Sequence, residues 1–131
     1  MSKTEEIKAM VRRVVDEVIN EGHTGVLDEL CAPGLAEEMK RMIASFRSAF
    51  PDWREEIVEL VAEEDTVAGR FKCLGTQRGK FQGLPPTGKR MEVDEVYFLR
   101  VEDGKFVDLW GLEDNLNRMR QLGIVPSPGQ S

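Results

Sequence analysis

The sequence contains few of the residues from which metal, disulfide and nucleophilic sites are usually built. Its 131 residues include one histidine, His23, and two cysteines, Cys31 and Cys73. The cysteines lie far apart, and neither has a second cysteine or a histidine at metal-ligand spacing. We therefore expect two buried free thiols, no metal site, and a histidine that occupies a solvated turn.

Long apolar runs are also missing, so nothing in the sequence predicts a membrane span or a signal peptide. Lys and Arg number 18 against 24 Asp and Glu, which gives a net charge of −6. An acidic chain has no electrostatic reason to bind nucleic acid or anionic lipid. These features predict a cytoplasmic globular protein that has neither nucleic acid nor a membrane as a partner.

Apolar residues recur at three- and four-residue spacing over the first fifty residues, which is typical of helices packed on a core. An apolar stripe from Ile7 to Ile19 predicts a first helix, and Ser2 with Glu5 can form a capping box at its start. A short second helix would begin at Thr24 and end at Pro33, and a third would end before Pro51.

From residue 53 onwards the apolar positions alternate, as in a strand with one buried face. We predict four antiparallel strands, over residues 57–62, 67–74, 91–101 and 105–112. Asp103-Gly104 tolerates positive φ and predicts a hairpin between the last two strands. A short helix follows over residues 115–122. Helices first and strands second indicate one α+β domain over residues 1–123, with a pocket beneath a curved sheet and a loosely held tail over residues 124–131.

Four segments in the last two-thirds of the chain carry a family resemblance by their order and spacing. They are Phe46 with Phe50-Pro51-Asp52, the glycine- and proline-rich residues 75–89, the hairpin residues 98–107, and Trp110-Gly111-Leu112-Glu113-Asp114 followed by Gln121-Leu122-Gly123. Together they resemble the SnoaL-like polyketide cyclases of the nuclear-transport-factor-two-like superfamily. The resemblance implies a cone-shaped α+β roll, in which three N-terminal helices pack on a curved antiparallel sheet of about four strands and a short helix follows. It also implies a homodimer formed through the sheet.

The resemblance implies a chemistry as well. In these cyclases an aspartate placed like Asp114 is the general acid/base of an intramolecular aldol closure, with no metal or cofactor. Asp114 is therefore the expected catalytic residue, and a small hydrophobic carbonyl-bearing compound is the expected ligand. Relatives often carry histidine where this chain has Gln77 and Leu109. Hydrolase, isomerase or dehydratase chemistry in the same pocket, or non-catalytic binding of a hydrophobic ligand, therefore stay open.

Strand alternation places Trp110 and Asp114 on one face of the last strand. If Trp110 faces the pocket, Asp114 faces it too, where apolar surroundings would tune it for proton transfer near neutral pH. Glu92, Asp94 and Glu95 form a cluster of charges that is expected on a solvated strand face. If Asp94 instead points inward with Asp114, two carboxylates sharing a pocket would strongly raise the pKa of one of them. The alternative is that Asp114 only caps the terminal helix.

Six residues are predicted to contact the substrate, namely Phe46, Phe50, Trp53, Phe71, Gln77 and Trp110. The five aromatic residues would form the wall of the pocket, and ordinary core packing is the alternative for each of them. Gln77 would donate a hydrogen bond to a ligand carbonyl, or would simply lie on the rim of a loop.

Overall fold

The computed structural model describes residues 1–126 and 128–129. Its elements are α1 (Lys3–Arg13), α2 as the π-helical continuation of α1 (Val14–Asn20), α3 (Val26–Leu30), α4 (Pro33–Ala49), β1 (Arg54–Glu63), β2 (Thr66–Thr76), β3 (Arg90–Glu102), β4 (Lys105–Glu113) and α5 (Asn115–Gln121). The strands form one antiparallel sheet in the order β1-β2-β3-β4. This is the predicted α+β architecture. The predicted tail over residues 124–131 lies partly outside the described residues.

The helix boundaries follow local chemistry, with two corrections. The side chain of Ser2 accepts a hydrogen bond from the backbone N–H of Glu5, which confirms the predicted cap of α1. Thr24 was predicted to cap the second helix, but α3 begins after Gly25 without a side-chain cap. Pro33 was predicted to end that helix and instead opens α4. Proline suits this position because the first turn of a helix does not use its backbone N–H groups.

Two polar side chains tie the helices to the start of the sheet. Asn20, at the end of α2, donates to the backbone carbonyl of Glu55 at 3.0 Å and accepts from its N–H at 2.9 Å. Arg47 on α4 donates to the backbone carbonyls of Ile19 and Trp53. These contacts fix the start of β1 against the helices, and therefore the position of Glu55.

The predicted hairpin is confirmed, because Asp103 and Gly104 both have positive φ, 52° and 78°. The inner face of the sheet packs against the helices and buries a continuous apolar core. Cys31 and Cys73 are both buried and free, as expected. Among the described residues, no helix is both long and apolar enough to cross a membrane.

Candidate functional site

A cavity of about 570 Å³ lies between the helices and the inner face of the sheet. Its wall is mainly apolar and is built by Val11, Val14, Val15, Ile19, Met39, Met42, Ile43, Phe46, Trp53, Phe71, Phe81, Leu99 and Leu109. A smaller cavity of about 220 Å³ shares some of its lining residues, among them Tyr97 and Glu113. Cavities of this size with a mainly apolar wall are typical of small-molecule binding sites.

Three carboxyl groups interrupt this apolar wall. Glu55 lies on β1, Glu95 on β3 and Glu113 on β4, and all three line the larger cavity. Glu95 is directly opposite Glu113 in the antiparallel register. Glu55 and Glu95 are each only 4% exposed, whereas the side chain of Glu113 is 34% exposed. Two of the three are therefore desolvated, and the third is accessible.

Glu113 is held through both of its oxygens. The hydroxyl of Tyr97 donates to Oε2 at 2.7 Å, and Nη2 of Arg118 lies 2.8 Å from Oε1. The guanidinium of Arg118 also stands over the rings of Phe46 and Phe81, 5.3 and 5.6 Å from their centroids. A charge-assisted bond combined with stacking fixes this buried cation, which in turn orients the carboxylate.

Glu55 and Glu95 lie next to each other in the buried part of the site. Burial raises the pKa of both groups, and it raises the pKa of Glu95 to about 11. Glu95 therefore carries the proton near neutral pH and hydrogen-bonds to Glu55. The indole Nε1 of Trp53 donates to Oε2 of Glu55 at 2.6 Å. The site thus places a neutral carboxylic acid beside the carboxylate of Glu113.

Glu55, Glu95 and Cys73 could together offer three ligand atoms to a metal, because these atoms lie within 4.8 Å of one another. A metal would require deprotonated ligands. Burial raises the pKa of the Cys73 thiol as well as that of Glu95. Nη2 of Arg118 also lies only 3.5 Å from Glu95. These groups therefore fit a shared proton better than they fit a bound cation.

The predicted aromatic wall is present in part. Phe46, Trp53 and Phe71 line the cavity, as expected. Phe50 is fully buried behind it in a second core cluster, where its ring stacks on Phe46 with centroids 4.8 Å apart. Core packing, the alternative for Phe50, is therefore what the structure shows.

Gln77 does not face the cavity. It is fully buried and binds its own loop, donating to the carbonyl of Pro85 at 3.1 Å and accepting from the Thr87 hydroxyl at 2.9 Å. The predicted bond to a ligand is replaced by bonds that shape residues 79–88. The loop in turn presents Phe81 to the cavity.

The expected positions of Trp110 and Asp114 need correction. The side chain of Trp110 lies on the outer face of the sheet, 57% exposed, with its ring edge-on to Phe98. Asp114 is exposed and caps α5 by accepting from the backbone N–H of Asn117 at 3.2 Å. Asp94 is exposed on a solvated strand face, as expected, and the alternative in which it shares the pocket with Asp114 does not hold. Successive residues of a strand point to opposite faces. The residues of β4 that face inward are therefore Leu109, Gly111 and Glu113.

Five polar residues of the site were not predicted from the sequence, namely Glu55, Glu95, Tyr97, Glu113 and Arg118. Glu95 was expected on a solvated strand face and is buried instead. One signal for Glu95 was available. It interrupts the inward alternation of Met91, Val93, Glu95, Tyr97 and Leu99, where apolar residues dominate. A carboxylate in such a series is a candidate for a buried functional group.

The comparisons with known proteins agree with this fold. Residues 9–122 match the model of the SnoaL-like polyketide cyclase family. The aklanonic acid methyl ester cyclase DauD of Streptomyces sp. (strain C5) is 28% identical over 130 residues, covering 87% of this chain and 80% of that protein. The aklanonic acid methyl ester cyclase DnrD of Streptomyces peucetius is 28% identical over 109 residues, covering 82% and 72%.

Two solved structures have the same fold over most of this chain. TsrD from Streptomyces laurentii superimposes with a TM-score of 0.87 at 26% identity, over 95% of this chain and 99% of that one. AclR from Streptomyces galilaeus superimposes with a TM-score of 0.85 at 28% identity, over 95% and 85%. The match to the family model spans most of the sequence, and the chain belongs to the SnoaL-like polyketide cyclase family.

Proposed function

We propose that the protein closes a carbocyclic ring by an intramolecular aldol reaction in a small hydrophobic carbonyl compound, with Glu113 as the base. The observation that carries this proposal is the arrangement of Glu113. Its partly exposed carboxylate lines an apolar cavity, is oriented through both oxygens, and stands beside the protonated Glu95. Relatives named as aklanonic acid methyl ester cyclases support a polyketide-derived ester as the class of substrate.

The reaction requires one proton to leave carbon and one to reach oxygen. Glu113 takes the proton from a carbon flanked by carbonyl groups, and the resulting enolate carbon attacks a second carbonyl of the same molecule. One carbon–carbon bond forms, and the electron pair of the attacked carbonyl moves to its oxygen. That oxygen receives a proton from Glu95. The proton that Glu113 took from carbon then passes to Glu95, which returns both carboxyl groups to their starting states. Substrate and product are isomers.

The surroundings favour each of these steps. A neutral carboxylic acid in an apolar site is a strong hydrogen-bond donor toward a developing oxyanion. The Tyr97 hydroxyl, which also lines the cavity, donates to Oε2 of Glu113 and so holds the base in place. Because the reaction moves protons and no net electrons, we expect it to need no cofactor and to survive treatment with a chelator.

The adjacent residues Glu113 and Asp114 allow a matched test. Glu113→Gln keeps an oxygen that accepts from Arg118 but cannot take a proton, so kcat/KM on aklanonic acid methyl ester should fall by roughly 10²-fold or more. Asp114→Asn keeps the helix cap and should retain activity. Product formation is measured by chromatography. Activity lost in Asp114→Asn and kept in Glu113→Gln would return the catalytic role to Asp114 and refute the proposal.

Two other functions of the same cavity predict different results. A hydrolase or dehydratase would yield a product whose mass differs from that of the substrate. A non-catalytic binding protein would show saturable binding without turnover. Binding can be followed by quenching of Trp53 fluorescence in a Trp110→Phe background, because Trp53 lines the cavity and Trp110 lies outside it.

A further inference from the structure

Tyr97 lies between two glycines in one row across the sheet. It pairs with Gly69 on β2 and with Gly111 on β4. Neither glycine has a positive φ, so the backbone at both positions would accept other residues. The reason for glycine at these two positions is therefore space, not backbone conformation.

The ring of Tyr97 lies directly against Gly111. A Cβ atom at position 111 would stand 2.2 Å from Cδ1 and 2.3 Å from Cε1 of Tyr97, far inside an ordinary carbon–carbon contact of roughly 3.5–4.0 Å. A Cβ atom at Gly69 would instead meet the ring of Phe71 at 2.4 Å and Cδ2 of Leu60 at 2.8 Å. Gly69 thus makes room for Phe71 and Leu60, and Gly111 makes room for Tyr97.

Because Gly111 has no side chain, the Tyr97 ring can lie where its hydroxyl reaches Glu113. Glu113 lies two residues beyond Gly111 on the same inner face of β4, diagonally opposite Tyr97. The ring therefore has to lean along β4, across position 111, to bring its hydroxyl within 2.7 Å of the Glu113 carboxylate. On the side facing β2, the Phe71 ring packs edge-on to Tyr97 with centroids 6.0 Å apart.

We propose that Gly111 is a positioning residue for the cyclisation. Its missing side chain lets the Tyr97 ring lie on β4 and hold its hydroxyl on Glu113. This inference rests on the proposed role of Glu113 as the base. It adds that Gly111 determines the hydrogen bond from Tyr97 to that base. Gly111 acts only through Tyr97.

The placement of Tyr97 can be measured without any turnover. Tyr97 is the only tyrosine in the chain, so tyrosinate absorbance during an alkaline titration reports on it alone. Burial raises the pKa of Tyr97, and the nearby carboxyl groups of Glu95, Glu113 and Glu55 raise it further. A positively charged group also lies beside them, Arg118, which forms a salt bridge with Glu113. In Gly111→Ala the displaced phenol should ionise nearer its ordinary pKa of about 10.

The matched control for this titration is Gly69→Ala, which places the same methyl group beneath Phe71. It should leave the ionisation of Tyr97 near the wild-type value. An unchanged titration in Gly111→Ala would overturn the proposal, and so would an equal shift in Gly69→Ala. Because this measurement needs no substrate, its outcome is separate from the success of the proposed reaction.

Activity tests the second half of the inference. Gly111→Ala should lower kcat by roughly 10- to 100-fold, because a hydroxyl displaced by about 1 Å no longer orients the base. In a Tyr97→Phe background the same substitution should lower kcat little further, since the hydroxyl is already absent. Equal losses of kcat in the two backgrounds would contradict a role exerted through Tyr97.

A pair of variants keeps the proposal testable if Gly111→Ala does not fold. Removing the ring in Tyr97→Ala empties the space that the new methyl group would enter. The double variant Tyr97→Ala/Gly111→Ala should then melt close to Tyr97→Ala alone. A double variant that also fails to fold would show that Gly111 is needed for a reason other than Tyr97.

Discussion

Nη2 of Arg118 lies 2.8 Å from Oε1 of Glu113 in a salt bridge, although the side chain of Arg118 is only 2% exposed. This salt bridge joins α5 to the end of β4 and brings a permanent positive charge into the core. A guanidinium cannot lose its proton in a protein, so the charge of Arg118 has to be balanced where it lies. Glu95 carries a proton near neutral pH and is uncharged, so the negative charge that balances Arg118 comes from Glu113.

Removing one partner of this salt bridge should cost more stability than removing both. Glu113→Leu leaves the buried charge of Arg118 unpaired and should lower the free energy of unfolding by about 3 kcal/mol. The double variant Arg118→Met/Glu113→Leu should lose less than this, because no charge is then buried alone. Urea unfolding of the two single variants and the double variant measures the effect. Additive losses would show that the two groups stabilise the fold independently. Arg12→Met, at an exposed position of α1, is the control for loss of an arginine.

Glu95 should make the stability of the protein depend on pH. Its pKa is raised from 4.5 to about 11, mainly by burial, so the unfolded chain releases a proton that the folded chain keeps. The contribution of Glu95 is therefore full below pH 4.5 and is lost as the pH rises toward 11, by up to about 1.4 kcal/mol per pH unit. We expect the stability of the wild type relative to Glu95→Gln to fall steadily between pH 5 and 9.

Urea unfolding at a series of pH values, with the two proteins side by side, tests this dependence on Glu95. Glu92→Gln is the matched control, because Glu92 lies on the same strand with its side chain exposed. It should follow the wild type at every pH. Parallel curves for wild type and Glu95→Gln would show that Glu95 is ionised in the folded protein.

Gln77 should stabilise the loop that carries Phe81. Replacing its buried amide in Gln77→Leu removes the bonds to Pro85 and Thr87 and leaves buried carbonyl groups without a donor. We expect a loss of about 1–3 kcal/mol in the free energy of unfolding and faster proteolysis within residues 79–88. Gln82→Leu, at an exposed position of the same loop, should change neither. Undiminished stability of Gln77→Leu would mean that other contacts hold the loop.

The outer face of the sheet is expected to pair with a second copy of the chain. Val96, Phe98, Trp110 and Leu112 are exposed there on two adjacent strands, and contiguous apolar surface of this kind usually marks an interface. Sedimentation at micromolar concentration should give a dimer for the wild type and a monomer for Trp110→Glu. Met42→Glu, at an exposed apolar position of α4 on the inner side of the sheet, is the control and should remain dimeric. A monomeric wild type would contradict the expectation.

Local sequence signals predicted most of the elements but not the direction of every side chain. The serine cap at Ser2 and the Asp103-Gly104 turn depend on interactions within a few residues, and both are present. Pro33 was misread because proline both ends one helix and starts another, and the same local signal fits either. The faces of the strands depend on which side the helices cover, which is not a local property.

The acidic residue expected in the pocket was displaced by one position. Asp114 was expected inside, whereas Glu113 lines the cavity. This error follows from placing Trp110 inward, because a change of face at one residue of a strand changes the face of all of them. The alternative of two carboxyl groups sharing the pocket, raised for Asp94 and Asp114, applies to Glu55 and Glu95 instead.

The sequence by itself determined the α+β class, the order of the elements, the turns and the family, because these depend on periodicity, on turn chemistry and on motifs that are contiguous in the chain. Only the tertiary structure decided the composition of the site. Glu55, Glu95, Glu113 and Arg118 come from three strands and a helix that are far apart in sequence. Their meeting depends on the register of the sheet and on the docking of the helices, and the proton on Glu95 depends on how completely that packing excludes water.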